Sequence, residues 1–169
     1  MARPDPSEYA PYYAKYIDLV PEEDVLGALE AQLAETLAVL RPAPESQGNV
    51  RHPPYTWTVK EVVGHLTDTE RVMGYRALRF ARADATPLPG FDEEKYAPAG
   101  EFDRIPLRDL VAEFEAVRRS HLYLFRHLPA AAWDRGGKAN DNPVTVRALA
   151  YIIAGHGRHH SAILRKRLG

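Results

Sequence analysis

The run Thr145-Val146-Arg147-Ala148-Leu149-Ala150-Tyr151-Ile152-Ile153-Ala154-Gly155-His156-Gly157-Arg158-His159-His160-Ser161-Ala162-Ile163-Leu164-Arg165-Lys166-Arg167-Leu168 decides the fold. Leu149, Ile152, Ile153, His156, His160, Ile163 and Leu164 recur at three- and four-residue steps, which on a helix gather on one face. Thr145 stands where a cap is needed, and the polar Asn140-Asp141-Asn142-Pro143 ahead of it reads as loop rather than strand. The spacing predicts a helix over Val146 to Leu168 whose aliphatic seam is interrupted by two histidines.

Three more helices follow from the same periodicity. Leu26, Leu29, Leu33, Leu37 and Leu40 behind the acidic start Glu22-Glu23-Asp24 predict the first, between Pro21 and Leu40. Thr58-Val59-Lys60-Glu61 is a capping box opening the second, which runs to about Arg82 with Val62, His65, Leu66 and Met73 turned inward. The third starts near Pro106 and ends about Leu128, with Leu110, Phe114, Val117, His121, Leu124 and Leu128 as its stripe. Arg41 to Tyr55 and Asp84 to Ile105 are broken by prolines and glycines and predict long crossovers, the second centred on Pro89-Gly90-Phe91-Asp92. Tyr9, Tyr12, Tyr13 and Tyr16 lie in an amino-terminal arm, residues 1–20, spaced to lay aromatic rings on the core.

The expectation is one all-α domain over residues 1–169, with 45% hydrophobic residues to supply its core. The absence of cysteine removes disulfides, thiolate metal sites and a cysteine nucleophile. A formal charge of -1 leaves no basic footprint for nucleic acid. The start Met1-Ala2-Arg3-Pro4-Asp5-Pro6 is too polar for a signal peptide, and no apolar run is long enough to span a bilayer, so neither nucleic acid nor membrane is an expected partner and the expected location is the cytoplasm.

His156 and His160, four apart on one helix face, stand close enough for two imidazoles to meet one cation, and His65 on another inward stripe is the best source of a third nitrogen. Three neutral imidazoles suit zinc, nickel, iron or copper and leave a coordination position for water or substrate. Without an ion, buried imidazoles need hydrogen-bond partners of their own, and spacing alone leaves both readings open. His159 competes with His160 but is turned away from the seam, toward a supporting role. His121 reads as a core residue bonded to a carbonyl, and His52 and His127 as solvated loop residues. His156-Gly157-Arg158-His159-His160 lacks the glutamate of the H-E-x-x-H protease helix. Glu61 and Asp68, one turn either side of His65, are placed to orient it or accept a proton, or to remain solvated surface charges, and the sequence singles out no general base.

Trp57-Thr58-Val59-Lys60-Glu61-Val62-Val63-Gly64-His65-Leu66, Tyr75-Arg76-Ala77-Leu78-Arg79-Phe80-Ala81-Arg82, Pro89-Gly90-Phe91-Asp92 and Ala148 through Leu164 together resemble the DinB-like (DinB/YfiT) superfamily, from the tyrosine-rich arm onward. The resemblance implies an up-down-down-up four-helix bundle with long crossover loops, frequently a homodimer. It also implies a divalent metal on one histidine of the second helix and two of the fourth, positions that match His65, His156 and His160. Such relatives include transferases that use low-molecular-weight thiols such as bacillithiol or mycothiol, and isomerases of the maleylpyruvate type. Relatives often carry glutamate where this chain has Gly157.

Residues and resemblance together lead to the expectation of a metal-dependent enzyme, a thiol S-transferase or hydrolase in type. Zinc or nickel is the expected ion, activating a small thiol or water against a small-molecule substrate. A non-catalytic metal-binding bundle associated with stress and a thiol-dependent isomerase are the alternatives.

Overall fold

The protein is described by a computed structural model over residues 2–169. Its helices are α1 (Ala14–Ile17), α2 (Val25–Leu40), α3 (Glu45–Gly48), α4 (Val59–Ala81), α5 (Glu93–Ala99), α6 (Leu107–Arg126) and α7 (Val146–Leu168), with strands β1 (Gly136–Ala139) and β2 (Asn142–Thr145) before α7. The long helices α2, α4, α6 and α7 form the bundle, in which α4 and α2 each pack against both α6 and α7.

Two caps set the register of the helices that matter most. Thr58 accepts from the Glu61 amide at 3.1 Å while Glu61 accepts from the Thr58 amide at 2.6 Å, so the capping box starts α4 where the sequence predicts. Thr145 accepts from the Ala148 amide at 3.1 Å and starts α7 in the same way.

Two apolar clusters fill the bundle ends. One holds Val25 and Leu29 of α2, Phe80 of α4, Phe125 of α6, and Leu149 and Ile152 of α7. The other holds Leu37 and Leu40 of α2, Val63 and Leu66 of α4, Leu110 and Phe114 of α6, and Leu164 of α7. The amino-terminal halves of α2 and α7 therefore share an end with the carboxy-terminal halves of α4 and α6, which is the up-down-down-up arrangement.

Between the clusters each long helix contributes polar side chains. Arg118 is 1% exposed, donating to Glu70 at 2.5 Å, to Gln32 Oε1 at 2.8 Å and to the Leu29 carbonyl at 3.2 Å. Gln32 in turn donates to the Ala154 carbonyl at 2.6 Å. One guanidinium thus ties all four helices. Burial pushes the Glu70 carboxyl up, but Arg118 and His121 outweigh it and hold the group below its ordinary range.

This pair explains where the α6 stripe departs from expectation. Past Phe114 the buried positions are Arg118, Leu122 and Phe125, while Val117, His121 and Leu124 are only half-buried. Periodicity places Arg118 in the seam, but an arginine is read outward unless its counter-ion on another helix is known. His121 accordingly faces the Glu70 carboxylate, with Nδ1 3.4 Å from Oε1, and not a carbonyl.

The connections also differ from the sequence expectation. Gly136 to Thr145 is a β-hairpin, not a loop: Gly136 pairs with Thr145 and Ala139 with Asn142. Asn140 and Asp141 take φ of 50° and 62°, the left-handed conformation a two-residue turn of type I′ requires and these residues tolerate best after glycine. The crossover contains α5, capped by Asp92, and the Leu88 amide and carbonyl bond the hairpin at 2.9 and 3.0 Å through Lys138 and Asn140. No helix among the described residues is long and apolar enough to cross a membrane.

Replacing Glu70 by Gln strands the Arg118 charge and is expected to cost about 3–5 kcal/mol. The urea midpoint should fall sharply, whereas Arg118→Met with Glu70→Met should lose less than Glu70→Gln alone. Gly157 is expected to resist substitution for a related reason. A Cβ there would stand 2.5 Å from Gln32 Oε1 and 3.1 Å from Arg118 Nη2. Gly157→Ala gains about 1 kcal/mol of helix propensity against about 1–3 kcal/mol of overpacking, so urea unfolding should show a net loss of stability.

Candidate metal centre

His65 of α4 and His156 and His160 of α7 converge, with one ring nitrogen from each lying within 4.8 Å of the others. The Nε2 atoms of His65 and His156 face each other at 2.9 Å, and the ring centroids of the three pairs are 4.5 to 4.9 Å apart. His65 and His156 are 7% exposed. His160 keeps an edge toward solvent, yet its Nδ1 is buried without a hydrogen-bond partner.

Burial disfavours the charged imidazolium at all three. It holds His65 near a pKa of about 4 and His160 near about 3, each lowered further by neighbouring histidines, and drives His156 well below the ordinary value. Neutral rings carry lone pairs, and two lone-pair-bearing nitrogens at 2.9 Å can share only one proton between them. One divalent ion satisfies several such nitrogens at once, about 2.0–2.1 Å from each in zinc sites. The donor set, the facing nitrogens and the orphaned Nδ1 fit such an ion.

The surroundings of His65 differ from the sequence reading. Glu61 is committed to the capping box and Arg51, and Asp68 pairs with Arg71 at 3.8 Å, so neither touches the ring. Thr69, one turn on, sits with Oγ1 3.5 Å from His65 Nδ1, so the hydroxyl faces that nitrogen while Nε2 faces His156. Trp57, just ahead of the cap, packs edge-on to His65 at 4.8 Å between centroids, and Tyr16 of the arm packs on His156 at 5.3 Å. Burial pushes the Tyr16 phenol up, keeping it a neutral donor. The inward tyrosine spacing was the available signal for Tyr16. His159 is exposed, packs on Tyr16 and meets the His160 ring edge-on at 4.9 Å between centroids. His127 is exposed as expected, but His52 is half-buried, bonded to Gln47 at 2.9 Å.

Two cavities meet at the histidines. One, about 310 Å³, is bounded by Tyr13, His65, Arg76, Phe91, Asn140 and His156. The other, about 270 Å³, is bounded by Tyr55, Trp57, His65, His160 and Arg167. Tyr16, His65 and Glu93 line both. A larger hollow of about 790 Å³ near Leu40 and Lys60 lies away from them, and around it Lys60 pairs with Glu45 and Arg41 with Glu115, both at 2.6 Å.

The depressed histidines carry a pH signature in chelator-treated protein. Their folded pKa values lie below the unfolded value of about 6.5, so on acidification the unfolded chain binds protons first. Stability should be full above about pH 6.5 and fall toward pH 4. The urea midpoint should drop over that window and drop less in His160→Gln; a midpoint level from pH 7 to 5 would contradict neutral buried rings.

Residues 28–164 match the family model described as the DinB superfamily. A candidate metal-dependent hydrolase of Oceanobacillus iheyensis is 25% identical over 112 residues, 65% of this chain and 64% of its own length. A second, from Geobacillus kaustophilus, is 28% identical over 120 residues, 67% of this chain and 66% of its own. The matched stretch thus spans just under two thirds of either relative. Among solved structures, YfiT from Bacillus subtilis, described as a probable metal-dependent hydrolase with an unusual four-helix bundle topology, superposes with a TM-score of 0.76. That match covers 88% of this chain and 90% of YfiT at 20% identity, a likeness of fold. The chain belongs to the DinB superfamily.

Proposed function

We propose that this protein is a metal-dependent hydrolase in which His65, His156 and His160 hold a divalent ion, zinc or nickel. The observation that carries the reading is the convergence of three neutral imidazoles, two buried and one half-buried, where two cavities meet. The names of the Oceanobacillus and Geobacillus relatives point the same way. A bound ion of this kind supplies Lewis acidity, lowering the pKa of water or a thiol toward neutrality and polarising a carbonyl.

The chain's own residues prepare that chemistry. The Thr69 hydroxyl faces His65 Nδ1, and Trp57 and Tyr16 pack the ring edges so that the imidazoles keep their orientation. Among the described residues Glu93 is the one carboxylate lining both cavities, and it can take a proton from an attacking group at its carboxylate oxygens. A purely bracing ion needs no access, whereas the cavities bring small molecules to the rings. The pair of cavities also supports a second reading, transfer of a small thiol to an electrophile, with one reactant on each side of His65.

Elemental analysis of purified protein should find about one ion per chain, and His156→Ala and His160→Ala should each lose it. Hydrolysis of p-nitrophenyl esters and conjugation of glutathione or cysteine to an electrophilic probe should be compared with and without chelator. The expected result is metal-dependent turnover lost by about 100-fold or more in both variants, as for removal of a group the reaction needs. Metal-independent turnover, or an ion retained in His156→Ala, would overturn the assignment.

A further inference from the structure

Arg76 is 4% exposed, and none of the ion pairs among the described residues includes it. Its Nη2 donates to the Pro89 carbonyl at 2.7 Å, its Nη1 approaches Met73 Sδ at 3.6 Å, the guanidinium lies 5.9 Å from the Phe91 ring, and the neutral Tyr13 phenol stands beside it. A guanidinium carries five N–H donors and one full charge, and neither is accounted for by these partners. Arg118 shows the contrast: equally buried in the same bundle, it has Glu70. Keeping a charge largely out of water without a counter-ion is costly, and an anion entering the cavity that Arg76 borders would offset that cost.

The place where an anion could arrive is defined. Arg76 follows His65 by eleven residues on α4, which at ~3.6 residues per turn is about three turns, so the two share one helix face roughly 16 Å apart at the backbone. Helical side chains lean toward the amino terminus, so Arg76 reaches back toward the histidines. Both line the 310 Å³ cavity, together with the amide-bearing Asn140 and Asn142. Taking about 30 Å³ per water, the space suits a molecule of roughly ten non-hydrogen atoms.

We propose that Arg76 is a specificity-determining residue that seats the carboxylate of a small organic acid, with the rest of the molecule extending along α4 toward the histidines. Arginine matches the planar, bidentate carboxylate. The cavity wall holds a single guanidinium and also the Glu93 carboxylate, which disfavours a dianion such as a phosphate monoester. The direction of the reacting end rests on the metal-centre reading; the anion seat itself does not.

The test compares hexanoate, hexanamide and hexylphosphonate by calorimetric or NMR titration of the full chain as purified, alongside Arg76→Met and Arg76→Lys. Wild type should bind hexanoate about tenfold or more tighter than hexanamide, in line with a hydrogen bond to a charged group. Arg76→Met should lose that preference with hexanamide binding unchanged, and Arg76→Lys should keep part of it. The Tm of Arg76→Met should be unchanged or higher, because a stranded charge has gone. Equal binding of hexanoate and hexanamide by wild type, a preference that survives Arg76→Met, or tighter binding of hexylphosphonate would overturn the proposal. A lowered Tm with hexanoate affinity intact would mark Arg76 as a brace for Pro89 instead. Metal content of the same samples separates the two readings. An ion-free protein with an Arg76-dependent preference keeps the acid seat and loses the metal centre, and an ion-bearing protein without the preference does the reverse.

Discussion

The buried guanidinium of Arg118 is the constraint on which the bundle depends. Its charge is tolerable only because Glu70, Gln32 and the Leu29 carbonyl surround it, and those groups come from α4 and α2 while Gln32 anchors to α7. Apolar contacts at the two ends allow the helices to slide or rotate with modest penalty, since Leu and Val side chains repack. A charge with directional donors does not allow it, because a shift that breaks the ion pair leaves both partners buried and alone. The polar layer therefore sets how α4 and α7 stand to each other, and so where His65 meets His156.

The histidines occupy the same layer from the opposite side. Gly157 permits this arrangement: its missing side chain lets Gln32 and Arg118 approach α7 directly beside His156. The carboxylate on Arg118 comes from Glu70 of α4, so glutamate at position 157 is neither needed nor accommodated. Arg118 acts on the three histidines indirectly, through Gln32, which bonds the Ala154 carbonyl of α7 two residues before His156.

Much of this was legible in the sequence, and the exceptions have physical causes. The caps Thr58 and Thr145 and the aliphatic seams are local signals, and they locate α4, α7 and all three converging histidines. What escaped depends on partners distant in sequence. Arg118 looks like a surface residue until Glu70 is opposite it, and Thr69 looks like filler until His65 Nδ1 is 3.5 Å away. The hairpin was missed because Gly136-Gly137 and Pro143 weaken strand propensity. The left-handed Asn140 and Asp141, tied to Leu88, outweigh that.

The asymmetry of the bundle explains why the site can be reached. The three histidines come from two of the four helices, and on the far side the hollow between Glu70, Arg118 and His156 is too small for a substrate. On the near side, α2 and α6 contribute nothing, and the walls are the tyrosine arm, the crossover with α5 and the hairpin tip. Loops and short helices pack less tightly than long helices and leave cavities where they meet. The rigid half fixes the imidazoles while the irregular half shapes what approaches them. The division is incomplete, because Tyr16 of the arm packs on His156 and Arg76 lines the cavity from α4 itself, so a change at either position reaches the helices that carry the histidines.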